Sequence, residues 1–286
     1  MEVTIRKEFK RRRLWEQTLI RAAVLGSPIS HSLSPALHKA AYKYLGIEGE
    51  YRAIEVRTDG LEKFLASCDD SWTGFSLTMP LKEKVLSLAD EVDELAIRVQ
   101  SANTLIRINN GWRASTTDVL GFRDALHAHG VLTFRTVLII GSGATARAAA
   151  CACDGENRLV QVLHRNPLRE PAMRKAAPHS SIEFLSWETT LPNVDLMINT
   201  TPAGVADHLA SQITKRSTGV FFEALYDPWP TSLLARWRSL DGKAIDGLDL
   251  LVYQAIHQVA LMTQKALDPV VLAPILRDAG LKALQR

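Results

Sequence analysis

The segment Arg135-Thr-Val-Leu-Ile-Ile140-Gly141-Ser-Gly143-Ala-Thr-Ala146 decides how this chain is read. Four consecutive aliphatic residues at 137–140 predict a strand buried on both faces, as in a parallel sheet. Gly141, Ser142, Gly143, Ala144, Thr145 and Ala146 then match the pattern G-x-G-x-x-G/A, and a small-residue helix is expected at 144–153. In that frame the first glycine permits a tight turn and the second lets a pyrophosphate approach the backbone, while Ala146 keeps helix and strand close. The phosphates of a dinucleotide rest at the helix N-terminus, where free N–H groups and the helix dipole favour an anion. A glycine turn of purely structural use is the plainer reading of the same residues. The complete strand–loop–helix frame favours nucleotide binding.

The next predicted strand, Leu159–Leu163, runs into His164-Arg165-Asn166-Pro-Leu-Arg169. A carboxylate at that strand end would bond a ribose 2′-hydroxyl, whereas arginine accommodates a 2′-phosphate. The strand runs straight into histidine, arginine and asparagine, and Arg165 and Arg169 can fork onto phosphate oxygens. NADP is therefore the expected cofactor, with a solvated basic loop as the alternative. Further strands of this sheet are expected at 194–198 and 220–224. Apolar residues return to helical spacing over 250–266, and the stretch to Leu284 reads as helix.

Towards the N-terminus, strands at 22–26, 51–56 and 74–78 alternate with helical spacing at 37–45 and 60–68 and a helical turn at 84–88. Such alternation defines an α/β sheet. The expected architecture is two α/β domains, an N-terminal substrate domain and a Rossmann-type NADP-binding domain, with a cleft between them. The substrate domain is expected to take residues 22–121 plus 251–286 and the nucleotide domain 122–250. The chain thus crosses near Gly121 and returns through the helix around Gln254.

Composition agrees with this reading. With 286 residues, 47% hydrophobic and 23% charged, the chain can build a core and is neither disordered nor collagen-like. Its longest run of Val, Leu and Ile falls far short of the roughly 20 apolar residues of a membrane helix. No apolar signal core opens the sequence, so a cytoplasmic protein is expected. Cys68, Cys151 and Cys153 are an odd, sparse set expected to stay reduced. Cys151-Ala-Cys153 is too tight for the usual C-x₂-C spacing, and no metal site is expected. Of the net charge of +3, residues 1–21 carry +4 and the remainder −1. The basic character belongs to a short N-terminal extension, expected to be dispensable. The near-neutral body argues against nucleic-acid binding, which needs a surface of clustered positive charge.

In the N-terminal half, Ser27, Ser30, His31, Ser32 and Ser34 cluster around Pro28 and Pro35. Hydroxyls at a strand-to-helix junction can hold a carboxylate; Ser34 ahead of Pro35 fits ordinary helix capping equally well. Thr78-Met-Pro80-Leu-Lys82 places a lysine just past a strand end. Ser101-Ala-Asn103-Thr104 and Thr116-Thr117-Asp118 add an amide and a carboxylate. A lysine beside an aspartate can transfer a proton, although single Lys and Asp residues are commonly solvated surface groups.

Taken in order, these segments resemble the shikimate dehydrogenase family. The resemblance runs from Val24 to about Gln258. It includes Val24 to Pro35, Ser76 to Lys82, Ser101 to Thr104, Thr116 to Asp118 and the glycine loop. It continues through Ile198-Asn-Thr-Thr-Pro-Ala-Gly204, Tyr226-Asp-Pro228 and Gly247-Leu-Asp-Leu-Leu-Val-Tyr-Gln254. Each motif is common alone, and the ordered set is specific. The resemblance implies NADPH-dependent reduction of 3-dehydroshikimate to shikimate, on the route to chorismate and the aromatic amino acids. It implies that Ser32, Ser34 and Tyr226 hold the substrate carboxylate. Thr78, Asn103, Asp118 and Gln254 would contact the ring hydroxyls. Lys82 would pass the proton with Asp118 holding it, and Thr201, Tyr226 and Gly247 would lie along the nicotinamide channel.

Several positions depart from the family pattern. Ser76 and Thr116 stand where asparagine is usual, Val119 where glycine is usual, and Val205 and Leu250 where methionine is common. They leave room for an altered substrate preference, so a quinate/shikimate dehydrogenase is the near alternative and a non-catalytic NADP-binding regulator the distant one. A monomer or homodimer acting on a small molecule is expected.

Overall fold

The computed structural model describes residues 19–109 and 111–285. Residues 1–18, most of the basic extension, lie outside the described residues. The first strand, β1 (Ile20–Gly26), begins two residues earlier than expected. Ile20 is buried, and Arg21 bonds Glu50 at 3.2 Å and stacks 4.3 Å over Trp72. Both therefore belong to the folded body.

Along the chain follow α1 (Ser34–Leu45), β2 (Gly49–Glu55), α2 (Leu61–Ala66), β3 (Gly74–Leu77) and α3 (Leu81–Lys84). Next come β4 (Glu91–Val92), α4 (Glu94–Val99), β5 (Thr104–Ile108) and β6 (Gly111–Ser115). These strands form a mixed sheet in the order β2-β1-β3-β5-β6-β4. β1 lies inside the sheet between β2 and β3, with side chains apolar on both faces: Ala22 and Val24 face α1 and the C-terminal helices, while Ala23 and Leu25 pack with Leu61 and Phe75. The antiparallel hairpin β5–β6 was not anticipated. Its strands are short and carry Arg107 and Arg113, which obscure the alternation. The expected turn at 84–88 is instead α3 followed by a 3₁₀ turn, Val85–Ser87.

After β6, α5 (Asp118–Ala128) leads into β7 (Thr136–Ile140), α6 (Ala144–Ala152), β8 (Leu159–Leu163), α7 (Glu170–Ala176) and β9 (Ser181–Leu185). β10 (Leu196–Asn199), β11 (Val220–Glu223), α8 (Ser232–Arg238) and β12 (Lys243–Ile245) complete a second sheet. It is parallel throughout, in the order β12-β11-β10-β7-β8-β9. Counted from β7 this is the doubly wound order 3-2-1-4-5-6, whose winding reverses between β7 and β10. Val137 and Ile139 pack on the alanines of α6, whereas Leu138 and Ile140 meet Leu209, Phe221 and Trp237 on the opposite face. The fold is thus α/β, with a Rossmann-type sheet beside a second α/β sheet.

Two long helices close the chain: α9 (Gly247–Thr263) and α10 (Pro269–Leu284). α9 packs along α5, and Gly121 lets it approach. A Cβ at Gly121 would fall 2.9 Å from Gln254 Cβ and backbone N, too near for any other residue. Behind the cleft, Arg147 of α6 ties the two sheets together. Its buried guanidinium donates to Val99 O at 2.6 Å, Gln100 O at 3.1 Å and Glu83 Oε1 at 2.8 Å.

Candidate active site

The loops beyond the carboxyl ends of β3, β7, β8 and β10 enclose a cleft of about 650 Å³. A crevice outside the strand ends, at the reversal of winding, is where an open α/β sheet receives its ligand. The second sheet contributes Gly141, Ser142, Gly143, Ala144, Thr145, His164, Arg165, Asn166, Arg169 and Thr201. The first contributes Thr78 and Lys82. Ala146 lies beneath the loop, fully buried in the core where its small side chain lets α6 sit on the sheet. Gly247 opens α9 with its Cα against the Leu225 carbonyl, a contact that a Cβ would destroy. Neither lines the cleft.

The glycine loop has the form of an anion cradle. Gly141 takes φ +110°, and a Cβ there would stand 2.7 Å from Thr200 Oγ1. No side chain caps α6, so no side chain occupies the N–H groups of its first turn. Arg169 Nη1 lies 3.5 Å from Ser142 O, beside the loop, and the exposed Arg165 guanidinium stands 5.1 Å from the Trp187 ring centre. His164 and Asn166 are engaged differently. His164 is buried with Nδ1 3.1 Å from Asn166 O and Nε2 3.3 Å from the Glu170 carboxylate, and Asn166 Oδ1 accepts from Leu168 N. Arg165 and Arg169 thus bring the guanidinium groups of this segment to the cleft. Trp187 was not anticipated; a lone aromatic beyond β9 carries no signal in sequence.

Facing the loop, Lys82 Nζ lies 2.6 Å from Asp118 Oδ2, with their side chains 17% and 8% exposed. Lys82 sits on α3, held also by Ala102 N–H donating to its carbonyl at 2.8 Å. Asp118 is the first residue of α5, where the helix dipole favours its charge. Its other oxygen, Oδ1, accepts from Asn103 Nδ2 at 2.8 Å, and the same Nδ2 lies 3.2 Å from Gln254 Oε1. Asn103 Oδ1 accepts from Thr117 N at 2.8 Å and from Thr104 Oγ1 at 2.9 Å. Four predicted residues, Lys82, Asn103, Asp118 and Gln254, thus form one hydrogen-bonded group. Thr117 and Thr104 were present only as letters of motifs, yet they orient the amide.

Ser32, Ser34 and Tyr226 form a second group around the start of α1. Ser34 N donates to Ser32 Oγ at 3.3 Å, and Ser34 makes no helix cap: the cap position is Leu33. Burial pushes the Tyr226 phenol up, with Asp227 adding and hydrogen bonds to Ser32 and the Leu33 backbone opposing. None of these three lines the cleft described above. The three cysteines are free, and burial pushes the Cys153 thiol up to about 12. Among the described residues no three His, Cys, Asp or Glu side chains converge as metal ligands. No described helix is long and apolar enough to cross a membrane.

A Rossmann-type sheet whose glycine loop faces a lysine–aspartate pair defines a class of two-sheet dinucleotide-binding proteins. Within that class, residues 24–105 match the model of the shikimate dehydrogenase substrate binding domain. The chain is 34% identical over 244 residues to a shikimate dehydrogenase (NADP(+)) of Thermosynechococcus vestitus, covering 81% of this chain and 85% of that one. The crystal structure of the Mycobacterium tuberculosis shikimate dehydrogenase superposes with a TM-score of 0.80 at 34% identity, over 93% of this chain and 99% of that one. A shikimate 5-dehydrogenase from Thermus thermophilus, solved with NADP(H) and shikimate, superposes at 0.78 and 30% identity, over 91% and 100%. The chain belongs to the shikimate dehydrogenase family.

Proposed function

We propose that this chain catalyses the reversible NADPH-dependent reduction of 3-dehydroshikimate to shikimate, as a cytoplasmic enzyme of aromatic amino acid biosynthesis. The observation that carries the reading is the Lys82–Asp118 pair, 2.6 Å apart, with Lys82 lining the same cleft as Gly141 and Gly143. We also propose the division into a substrate domain of residues 22–121 plus 251–286 and a nucleotide domain of 122–250, with β1 extended back to Ile20.

The cleft fits the cofactor. Gly141 and Gly143 leave a bare cradle, the first turn of α6 presents N–H groups uncapped by side chains, and Arg165 and Arg169 supply charge for a 2′-phosphate. NADPH, when bound, supplies the hydride. Lys82 Nζ then stabilises the charge left on the substrate oxygen and gives it a proton; in the reverse direction it takes that proton back. Asp118 holds the ammonium in place, Asn103 holds Asp118, and Asn103 and Gln254 contact the ring hydroxyls. Ser32, Ser34 and Tyr226 bind the carboxylate. Matched polar groups discriminate strongly, because an analogue lacking one hydroxyl leaves a buried partner unpaired.

Steady-state rates with four pairings, shikimate or quinate against NADP or NAD, test the reading. The highest kcat/KM is expected for shikimate with NADP. A preference for quinate with NAD would overturn it. Binding of NADP without oxidation of either acid would make the chain a non-catalytic NADP-binding regulator.

A further inference from the structure

One buried polar cluster is left over by the mechanism above. Gln258 lies one helical turn beyond Gln254 on α9 and is 1% exposed, yet all its hydrogen-bonding capacity is used. Its Nε2 donates to Asn103 O at 3.0 Å and to Thr104 Oγ1 at 3.2 Å. Its Oε1 accepts from Ser76 Oγ at 2.7 Å and from His38 Nε2 at 3.2 Å. Because the Asn103 carbonyl can only accept, the Gln258 amide has one orientation.

That orientation is passed on through Thr104. Thr104 Oγ1, already accepting from Gln258, spends its single proton on Asn103 Oδ1 at 2.9 Å. With Oδ1 occupied by this hydroxyl and by the Thr117 N–H at 2.8 Å, Asn103 turns Nδ2 towards Asp118 Oδ1, 2.8 Å away. On the far side, Ser76 gives its proton to Gln258 and accepts from Tyr51 OH at 2.6 Å. His38 is fully buried and stacks on Tyr51 with ring centres 3.9 Å apart. Burial pushes its imidazole down to about 3 against the bond with Gln258, so the ring is neutral with one N–H. That proton lies on Nε2, since Gln258 Oε1, 3.2 Å away, can only accept; Nδ1 faces the Tyr42 hydroxyl at 3.4 Å. Every donor from His38 to Asn103 thus points one way, towards the Lys82–Asp118 pair. Ser76, where the family usually has asparagine, is one of the two donors that fix Gln258.

We infer that Gln258, oriented by His38 and Ser76, is a positioning residue for the reaction: through Thr104, and together with the Thr117 N–H, it holds the Asn103 carboxamide with its nitrogen end on Asp118. A buried amide with its partners removed loses stabilisation and orientation together, and misplacing a reacting group by about 1 Å can lower a rate by about 10²-fold. The inference rests on the function proposed above.

Two near-isosteric variants test it. Gln258→Glu replaces both N–H donors with an oxygen facing the Asn103 carbonyl; Thr104→Val deletes the hydroxyl that relays the orientation. For each, kcat and shikimate KM are measured beside the Kd for NADP, the thermal melt and the ¹⁵N side-chain amide resonances of ligand-free Asn103. The expected result for Gln258→Glu is a kcat lowered by about 10²-fold, with NADP affinity unchanged and the Asn103 amide resonances moved. Thr104→Val should show the same pattern with a smaller loss. Folded variants with wild-type kinetics overturn the inference. A lower melting temperature with the Asn103 resonances unmoved also overturns it, since a merely structural role would do that. The amide resonances need no substrate. If the wild type fails to oxidise shikimate, the proposed function falls, while the resonances still decide the positioning role.

Discussion

The two walls of the cleft are built in opposite ways. The nucleotide wall is local: its glycine loop and its arginines come from two short runs that follow the adjacent strands β7 and β8. The proton-transfer wall is distributed. Lys82 and Asp118 are 36 residues apart in the chain, and Asn103 and Gln254 are 151 apart. The first wall presents backbone and the arginines Arg165 and Arg169, and the second presents largely buried side chains that satisfy one another. A local wall survives the loss of one side chain because its backbone N–H groups remain. A distributed wall does not, because each deletion strands a buried partner.

The comparison is easiest to break at Lys82. Lys82→Ala should lower kcat by roughly 10²–10⁴-fold, as loss of an acid/base group does, with a modest change in KM. Turnover near wild type would remove the proton-transfer role and with it the contrast between the walls. On the nucleotide wall the expected effect is smaller and selective. Arg165→Ala should weaken NADP about tenfold or more, the size expected for lost charge-assisted hydrogen bonds, and leave NAD nearly unchanged. Calorimetric titration with both nucleotides checks this, and equal losses would withdraw Arg165 from the 2′-phosphate.

The same contrast explains what could be read from sequence. Residues 135–146 announce strand, loop and helix within a dozen positions, so the parallel sheet and its anion cradle were legible from local pattern. Lys82, Asn103, Asp118 and Gln254 were named through family resemblance. Their spacing alone left them ordinary polar residues, because what joins them is a tertiary arrangement. Gly121 shows the difficulty: nothing nearby in sequence tells that Gln254 needs the space above it. Gln258 and His38 were legible as helix residues only. A buried polar residue at a helical core position looks like a surface one until its partners are in place. Strand β1 was recognised but begun two residues late, since Arg21 reads as part of a basic extension until Glu50 and Trp72 are seen to hold it.

The smallest expected effect concerns stability and separates the walls by pH. His38, behind the distributed wall, is held neutral by burial, its folded value about 3 against an ordinary 6.5. Its folded value is depressed, so its contribution is complete above pH 6.5 and is lost as pH falls from 6.5 towards 3, because the unfolded chain takes up a proton that the folded chain refuses. Between pH 6.5 and 5, where most carboxylates are still ionised, this should appear as a falling unfolding free energy in denaturant titrations. His38→Gln keeps a donor near the position of Nε2 for Gln258 and removes the titration. The slope across that range should then flatten by about one proton, while the Arg165→Ala variant keeps the full slope. An unchanged slope in His38→Gln would mean that the imidazole is not held neutral in the fold, and that the donor to Gln258 is not the fixed one the buried wall requires.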